Sequence, residues 1–284
     1  MPSAQIFKFD FMTIGEAIII AIVEGITEFL PISSTGHMII TSYLLGIHED
    51  EFTKLFEVSI QFGAILAVVV LYSKKFLRFS QWRFYAKLAI GVLPAIVAGL
   101  FFSDKIDMLL ESPTLVAITL FIGGIIFLFI DNMFKVHTIQ TDSEITFPKA
   151  FLVGCWQLLA LVPGVSRSAA SIIGGMQQHF TRYLAAEFSF FLAVPTMFAA
   201  TLYTLFIKNW ENEFVSRKGY RVILETQENL NAFVVGNFVA FFVSMLAIRF
   251  LLTHVKNHGF KAFGWYRIIA GIILFIIILT HVMD

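Results

Sequence analysis

Six apolar runs in this chain are long enough to cross a lipid bilayer as helices, and two more are broken midway by proline and hydroxyl residues. A crossing helix needs about 20 mostly apolar residues. The unbroken runs lie near 55–72, 84–102, 114–131, 182–207, 230–252 and 263–282; the broken ones are 13–46 and 150–177. Their interruptions, PISSTGH and PGVSRSAAS, fall where a crossing helix would be deepest. Irregular backbone at that depth is tolerated only inside protein or along a wet cavity. Both are therefore predicted to be re-entrant helical hairpins, and the predicted fold class is all-α: a single polytopic domain over 1–284, with six transmembrane helices and two re-entrant hairpins. With 58% hydrophobic and 14% charged residues the chain is a membrane protein, not a soluble one. The first run carries Glu16 and Glu24 and lacks a small-residue cleavage site, so it is expected to stay in the membrane.

The second half echoes the first. Pro31-Ile-Ser-Ser matches Pro163-Gly-Val-Ser, and Glu57-Val-Ser59 matches Glu187-Phe-Ser189 at a similar interval. Gly91-Val-Leu-Pro-Ala resembles Gly236-Asn-Phe-Val-Ala. Each half, about 13–131 and 150–282, then holds one hairpin and three spanning helices. Three crossings invert the second half relative to the first. The loops 73–83, 132–149 and 253–262 carry Lys74, Lys75, Arg78, Arg83, Lys135, Lys149, Lys256 and Lys261, which places them in the cytoplasm by the positive-inside rule. The loops 47–54, 103–113 and 208–229 fall outside, the last read as a solvated loop, with an interfacial helix within it as the alternative. The broken tips meet near the midplane, as in many transporters.

Ionisable groups at membrane depth mark a functional site by default. Glu24 and Glu28, four apart, share a helix face ahead of Pro31. Ser33, Ser34, Thr35, Gly36 and His37 follow, a natural helix start whose free N–H groups and positive dipole end suit a phosphate. At the second tip Gly164 permits a tight turn, Ser166 and Ser168 can cap, and Arg167 offers a planar fork to phosphate oxygens. Arg167 needs an anionic partner, either Glu24 and Glu28 in a structural pair or a bound diphosphate. Together these are the parts of phosphoryl transfer: hydroxyl nucleophiles, proton acceptors and fixed positive groups. Ser34 and His37, at i and i+3, are expected to touch. Glu24 and Glu28 beside an anion call for a divalent metal or a proton. Gln61 and Glu187 are expected to line or brace the site, with helix–helix hydrogen bonding as the alternative.

At EGITEFLPISSTGH (24–37), FEVSIQFGAILAVV (56–69), PGVSRS (163–168) and RYLAAEFSFFLAVPTM (182–197) the chain resembles the undecaprenyl-diphosphate phosphatase family, the bacitracin-resistance protein type. The resemblance covers nearly the whole chain outside the polar loops. It implies an integral inner-membrane enzyme that hydrolyses undecaprenyl diphosphate to the monophosphate, recycling the lipid carrier for cell-wall precursors. It further implies dependence on Mg²⁺ or Ca²⁺, an inverted repeat with two re-entrant regions, and an active site opening outward. Carried onto this chain, the metal-binding glutamates are Glu24 and Glu28, and the catalytic set is Ser34, His37, Glu28 and Arg167. Ser33, Thr35, Ser166, Ser168, Ser171 and Gln61 would bind substrate. The family pattern continues with Gly, a small residue and Thr where this chain has Ala169, Ala170 and Ser171; no reactive group is lost, and Ser171 keeps the hydroxyl without the methyl. Ser34 is the favoured nucleophile, assisted by Glu28 or His37, with direct attack by His37 or by a metal-bound water left open.

The rival reading is a polyprenyl-phosphate transporter or flippase, which needs the arginine but not an activated nucleophile. Lys+Arg and Asp+Glu number 20 each, so no net charge points to nucleic acid. Small-residue spacings leave a homodimer open.

Overall fold

The computed structural model is almost wholly helical and describes residues 12–110, 112–211 and 216–280. Thr13 opens α1 (Ile14–Thr27) with a capping box: its hydroxyl accepts from Glu16 N, and the Glu16 carboxylate accepts from Thr13 N at 2.7 Å. The helix stops ahead of Pro31, which has no N–H to extend the ladder. The chain restarts as α2 (Ser34–Leu45), which ends on Gly46 in the left-handed region. Then come α3 (Glu51–Ser59), α4 (Gln61–Leu71), α5 (Ser73–Phe76), α6 (Trp82–Leu110) and α7 (Pro113–Met133). The second half runs through α8 (Phe147–Gln157), α9 (Arg167–Gln177) and α10 (Arg182–Leu202). A short hairpin of β1 (Asn209–Glu211) and β2 (Ser216–Lys218) leads to α11 (Gly219–Ile223), α12 (Gln227–His258) and α13 (Lys261–Leu279).

Six helical segments are long and apolar enough to cross a bilayer: Glu51–Leu71, Trp82–Gly99, Pro113–Met133, Arg182–Ile207, Gln227–His258 and Lys261–Leu279. They coincide with the six predicted runs, except that positions 281 and 282 of the last lie outside the described residues. The first span is not continuous. It breaks at Ile60, and the Gly63 amide donates to Asn237 Oδ1 at 2.9 Å. The surface around these spans is apolar, with Leu246 67% and Phe238 64% exposed. A soluble protein rarely presents such a surface, and lipid covers it without cost.

The two interrupted stretches have arms packed on opposite partners. α1 lies along α12, and α8 lies along α6; α7 packs on α13, and α4 crosses α10. Close approach needs glycine: a Cβ on Gly154 would stand 2.1 Å from the Gly91 carbonyl oxygen, and one on Gly124 2.8 Å from that of Gly264. Gly174 and Gly175 likewise meet Trp156 and Ala185. These small residues are thus used within the chain and give the homodimer expectation no support. At the centre of the fold, Phe188, Phe190, Phe191 and Leu192 of α10 are buried, and Phe29 of the first tip packs edge-on against Phe190 with centroids 5.3 Å apart.

Three expectations change. Most of the loop predicted at 103–113 is the continuation of α6 to Leu110; residue 111 lies outside the described residues. The segment 208–229, of which 212–215 are not described, is not simply a solvated loop. Its Val222 and Ile223 are buried, and Arg217 bridges Glu51 at 3.0 Å and Glu225 at 2.5 Å. Glu187 does not reach the site either; it sits 3.9 Å from Lys75, whose other partner is Asp142 at 3.1 Å.

Candidate active site

Both broken stretches restart in the same way. Ser33 and Ser166 are N-caps held at φ 73° and 74°, and each hydroxyl accepts from the amide three residues on, Gly36 at 3.3 Å and Ala169 at 3.2 Å. A non-glycine residue with positive φ is uncommon and costs energy, so its use at both tips marks a shared local design. The matching register is Ser33 with Ser166, one residue off the match read from sequence, because the second tip has Gly164-Val165 where the first has only Ile32. Ser34 and Arg167 then hold the same place, the first helical residue of α2 and α9. Helix geometry leaves their amides without intrahelical acceptors.

One cavity lies between these helix starts. Glu28, Ser33, Ser34, Thr35 and Gln61 line it from the first half, and Gly164, Ser166 and Arg167 from the second. The Ser34 hydroxyl donates to Glu28 Oε2 at 2.5 Å. Arg167 donates to the other carboxylate oxygen, Oε1, through Nη2 at 3.2 Å and Nε at 3.4 Å, and through Nη1 to the Ser189 carbonyl at 2.9 Å. Glu28 is only 6% exposed and thus joins a hydroxyl of one tip to the cation of the other. The anionic partner that Arg167 requires is Glu28.

The expected contact of Ser34 with His37 is not made. His37 turns away from the cavity into an apolar groove with Ile40, Ile269 and Ile273. Its Nδ1 lies 2.7 Å from the Ser33 carbonyl and its Nε2 2.6 Å from the Tyr266 hydroxyl. A carbonyl can only accept, so Nδ1 carries the proton and Nε2 of the neutral ring accepts from Tyr266. The i,i+3 spacing allowed the pairing, but Ser34, at the head of the helix, points at the carboxylate that precedes the turn.

Three other expected residues lie behind the cavity wall. The Ser171 hydroxyl lies within hydrogen-bond distance of the Arg167 and Ser168 carbonyls and, at 2.7 Å, of Ser189 Oγ, so it braces the arginine's turn. Ser168 is fully buried and its hydroxyl has no partner. Glu24 is also fully buried; neither oxygen meets a donor, and its charged neighbours are Glu28, Glu57 and Arg167. Buried carboxylates in this number exceed the one arginine beside them and need either a proton or a further cation. No cluster of three or more acidic, histidine or cysteine side chains with metal-holding geometry occurs among the described residues. Two carboxylates completed by phosphate oxygens and water nonetheless suit Mg²⁺, so the donor set fits a divalent ion.

Several participants were not read from sequence. Gln157 and Thr196 line the cavity and bond each other at 3.2 Å, leaving Gln157 Oε1 without a donor. Arg267 of α13 lies against both tips. It is the sole charged residue in the run 263–282, a signal of the same kind as Arg167. Thr119 donates to the Pro163 carbonyl at 2.7 Å and fixes the second turn. There Gly164 has φ 84°, and a Cβ would stand 2.0 Å from Thr119 Oγ1 and 2.9 Å from the Val116 carbonyl oxygen. Gly164→Ala is therefore expected to destabilise the protein by about 2 kcal/mol or more, from left-handed strain plus overpacking. A thermal melt in detergent checks it.

The family profile described as bacitracin resistance protein BacA matches residues 17–273. The chain is 52% identical over 262 residues to the undecaprenyl-diphosphatase of Flavobacterium psychrophilum, covering 92% of this chain and 95% of that one. It is 45% identical to the undecaprenyl-diphosphatase of Porphyromonas gingivalis, covering 95% of this chain and 99% of that one, and 46% identical over 267 residues to that of a Sulfurihydrogenibium species, covering 93% and 99%. With both tips and most of each half inside the matched residues, the chain belongs to the bacitracin resistance protein BacA family.

Proposed function

We propose that this chain hydrolyses undecaprenyl diphosphate to undecaprenyl phosphate and inorganic phosphate, returning the lipid carrier to cell-wall synthesis, with the resistance that the family name records. The observation that carries this reading is Glu28, which accepts from Ser34 on one oxygen and from Arg167 on the other. A transporter of an anionic lipid has use for the arginine, but none for a hydroxyl aimed at a carboxylate.

Ser34 Oγ attacks the terminal phosphorus while Glu28 Oε2 takes its proton. The new Ser–O–P bond forms as the bridging P–O bond breaks, and undecaprenyl phosphate leaves with the bridging oxygen. Water then attacks the seryl phosphate, Glu28 returns a proton to Ser34 Oγ, and inorganic phosphate departs. Arg167 and the amides at the heads of α2 and α9 hold the equatorial oxygens, where charge is stabilised in phosphoryl transfer. Glu24 and Glu28 would hold a divalent cation, Mg²⁺ or Ca²⁺, which supplies charge neutralisation to the diphosphate when bound. The cavity between membrane helices lets the head enter while the polyprenyl tail stays in lipid.

We read the two interrupted stretches as re-entrant hairpins of an inverted repeat. Pairing α1, α2, α4, α6 and α7 with α8, α9, α10, α12 and α13 in order makes the α1–α12 and α8–α6 contacts one contact made twice. The same pairing sets α4 against α10 and α7 against α13, each beside its own counterpart. This pattern and the twin N-caps support the repeat. We place the protein in the bacterial inner membrane with the basic loops in the cytoplasm. The cavity-lining Thr196 and Ala200 lie in the half of α10 far from those loops, which supports an outward opening.

Phosphate release from undecaprenyl diphosphate by the purified protein in detergent, with and without a chelator, tests the function. Release that the chelator stops and added Mg²⁺ or Ca²⁺ restores is expected. An inert protein with metal present would transfer the case to lipid transport, and release indifferent to chelation would remove the cation.

A further inference from the structure

We infer that Arg267 is a positioning residue for this reaction: one buried guanidinium that fastens the backbones of the two tips to each other. The inference rests on the phosphatase reading of the cavity. Arg267 is 1% exposed and comes from α13, which belongs to neither tip. Its Nη1 donates to the Pro31 carbonyl at 3.0 Å and to the Val165 carbonyl at 3.1 Å, one from each tip. Its Nη2 donates to the Gly164 carbonyl at 3.0 Å and to the Thr119 carbonyl at 3.2 Å. Among the described residues no carboxylate pairs with it, and its charge is met by carbonyl dipoles and the face of the Phe127 ring. Pro31 and Ile32 lead directly into Ser33 and Ser34, and Gly164 and Val165 lead into Ser166 and Arg167. Fixing those carbonyls therefore fixes both N-caps, and with them the Ser34–Glu28–Arg167 alignment across the cavity.

The surroundings are shaped to this side chain. The facing residue on α7 is Gly123, where a Cβ would stand 2.2 Å from Nη2, and the guanidinium lies over the Phe127 ring at 5.8 Å. Only a planar fork can serve carbonyls from three segments at once; a lysine is a point charge with fewer reachable partners. Arg267 does not line the cavity, so it acts through the tips and not on the substrate.

The test is steady-state phosphate release from undecaprenyl diphosphate, with kcat and KM expressed per folded molecule, the folded fraction being taken from size exclusion and a thermal melt. For Arg267→Met, kcat is expected to fall by about 100-fold with KM changed by less than about threefold, because alignment and not binding is lost. Arg267→Lys is expected to recover roughly tenfold of that loss. Gly123→Ala, which keeps the arginine but displaces its fork, is expected to lower kcat by about tenfold. A purely structural arginine would instead lower the folded fraction and leave kcat per folded molecule at the wild-type value, and that result overturns the inference. Should Arg267→Met not fold, wild-type kcat in both Arg267→Lys and Gly123→Ala overturns it equally. A wild-type protein that releases no phosphate sinks the phosphatase reading and this inference with it, whereas an active wild type with unaffected variants sinks this inference alone.

Discussion

Ser34→Ala is expected to cut phosphate release by at least about 10³-fold while leaving the protein folded. Alanine keeps the helix start, and Ser33, not Ser34, is the cap. The change removes the one hydroxyl that donates to Glu28 Oε2. Losing that donor leaves a buried carboxylate oxygen unserved, a destabilisation of about 1–3 kcal/mol. Turnover assays and a melt in the same detergent separate the two effects. His37→Ala is expected to be milder, roughly tenfold, because His37 touches the site only through the Ser33 carbonyl. A Ser34→Ala protein as active as wild type would remove Ser34 as nucleophile. A His37→Ala protein as dead as Ser34→Ala would reopen the histidine route.

Arg167→Ala is expected to lose about 10²–10³-fold in kcat, the usual effect of removing a main stabiliser of transferred charge. It should also destabilise the fold by about 3–5 kcal/mol, since it removes the ion-pair partner of the buried Glu28, which lies beside Glu24. Activity and stability can be told apart. Adding Glu28→Gln to Arg167→Met removes both charges and should return most of the stability, yet restore no activity. Recovery of turnover in that double variant would mean the pair is only structural.

Much of this molecule was legible in its sequence, for definite physical reasons. Hydrocarbon demands long apolar helices, so six spans could be counted from run length alone. A proline beside hydroxyls at mid-run announces broken helices, and the caps at Ser33 and Ser166 follow from residue type. Rotation about the first turn of α2 was not legible. Spacing placed Ser34 near His37, but the partner of each is set by what packs opposite. For Ser34 that is the carboxylate of Glu28; for His37 it is Tyr266, 229 positions away. Glu187 took its alternative, a contact between helices, for the same reason: it faces Lys75 rather than the cavity. Arg267 was visible as a lone charge in an apolar run, yet its role depends on carbonyls from three distant segments, which no local pattern encodes.

The central claim is that the two tips form one site, and a double-mutant cycle across them tests it most directly. Phosphate release would be measured for wild type, Ser34→Thr, Arg167→Lys and the double variant, substitutions mild enough to leave measurable turnover. One shared site, joined through Glu28, predicts losses that do not multiply, with a coupling of about 1 kcal/mol or more. Losses that multiply to within about 0.3–0.5 kcal/mol would mean that the tips act independently, and would contradict the account.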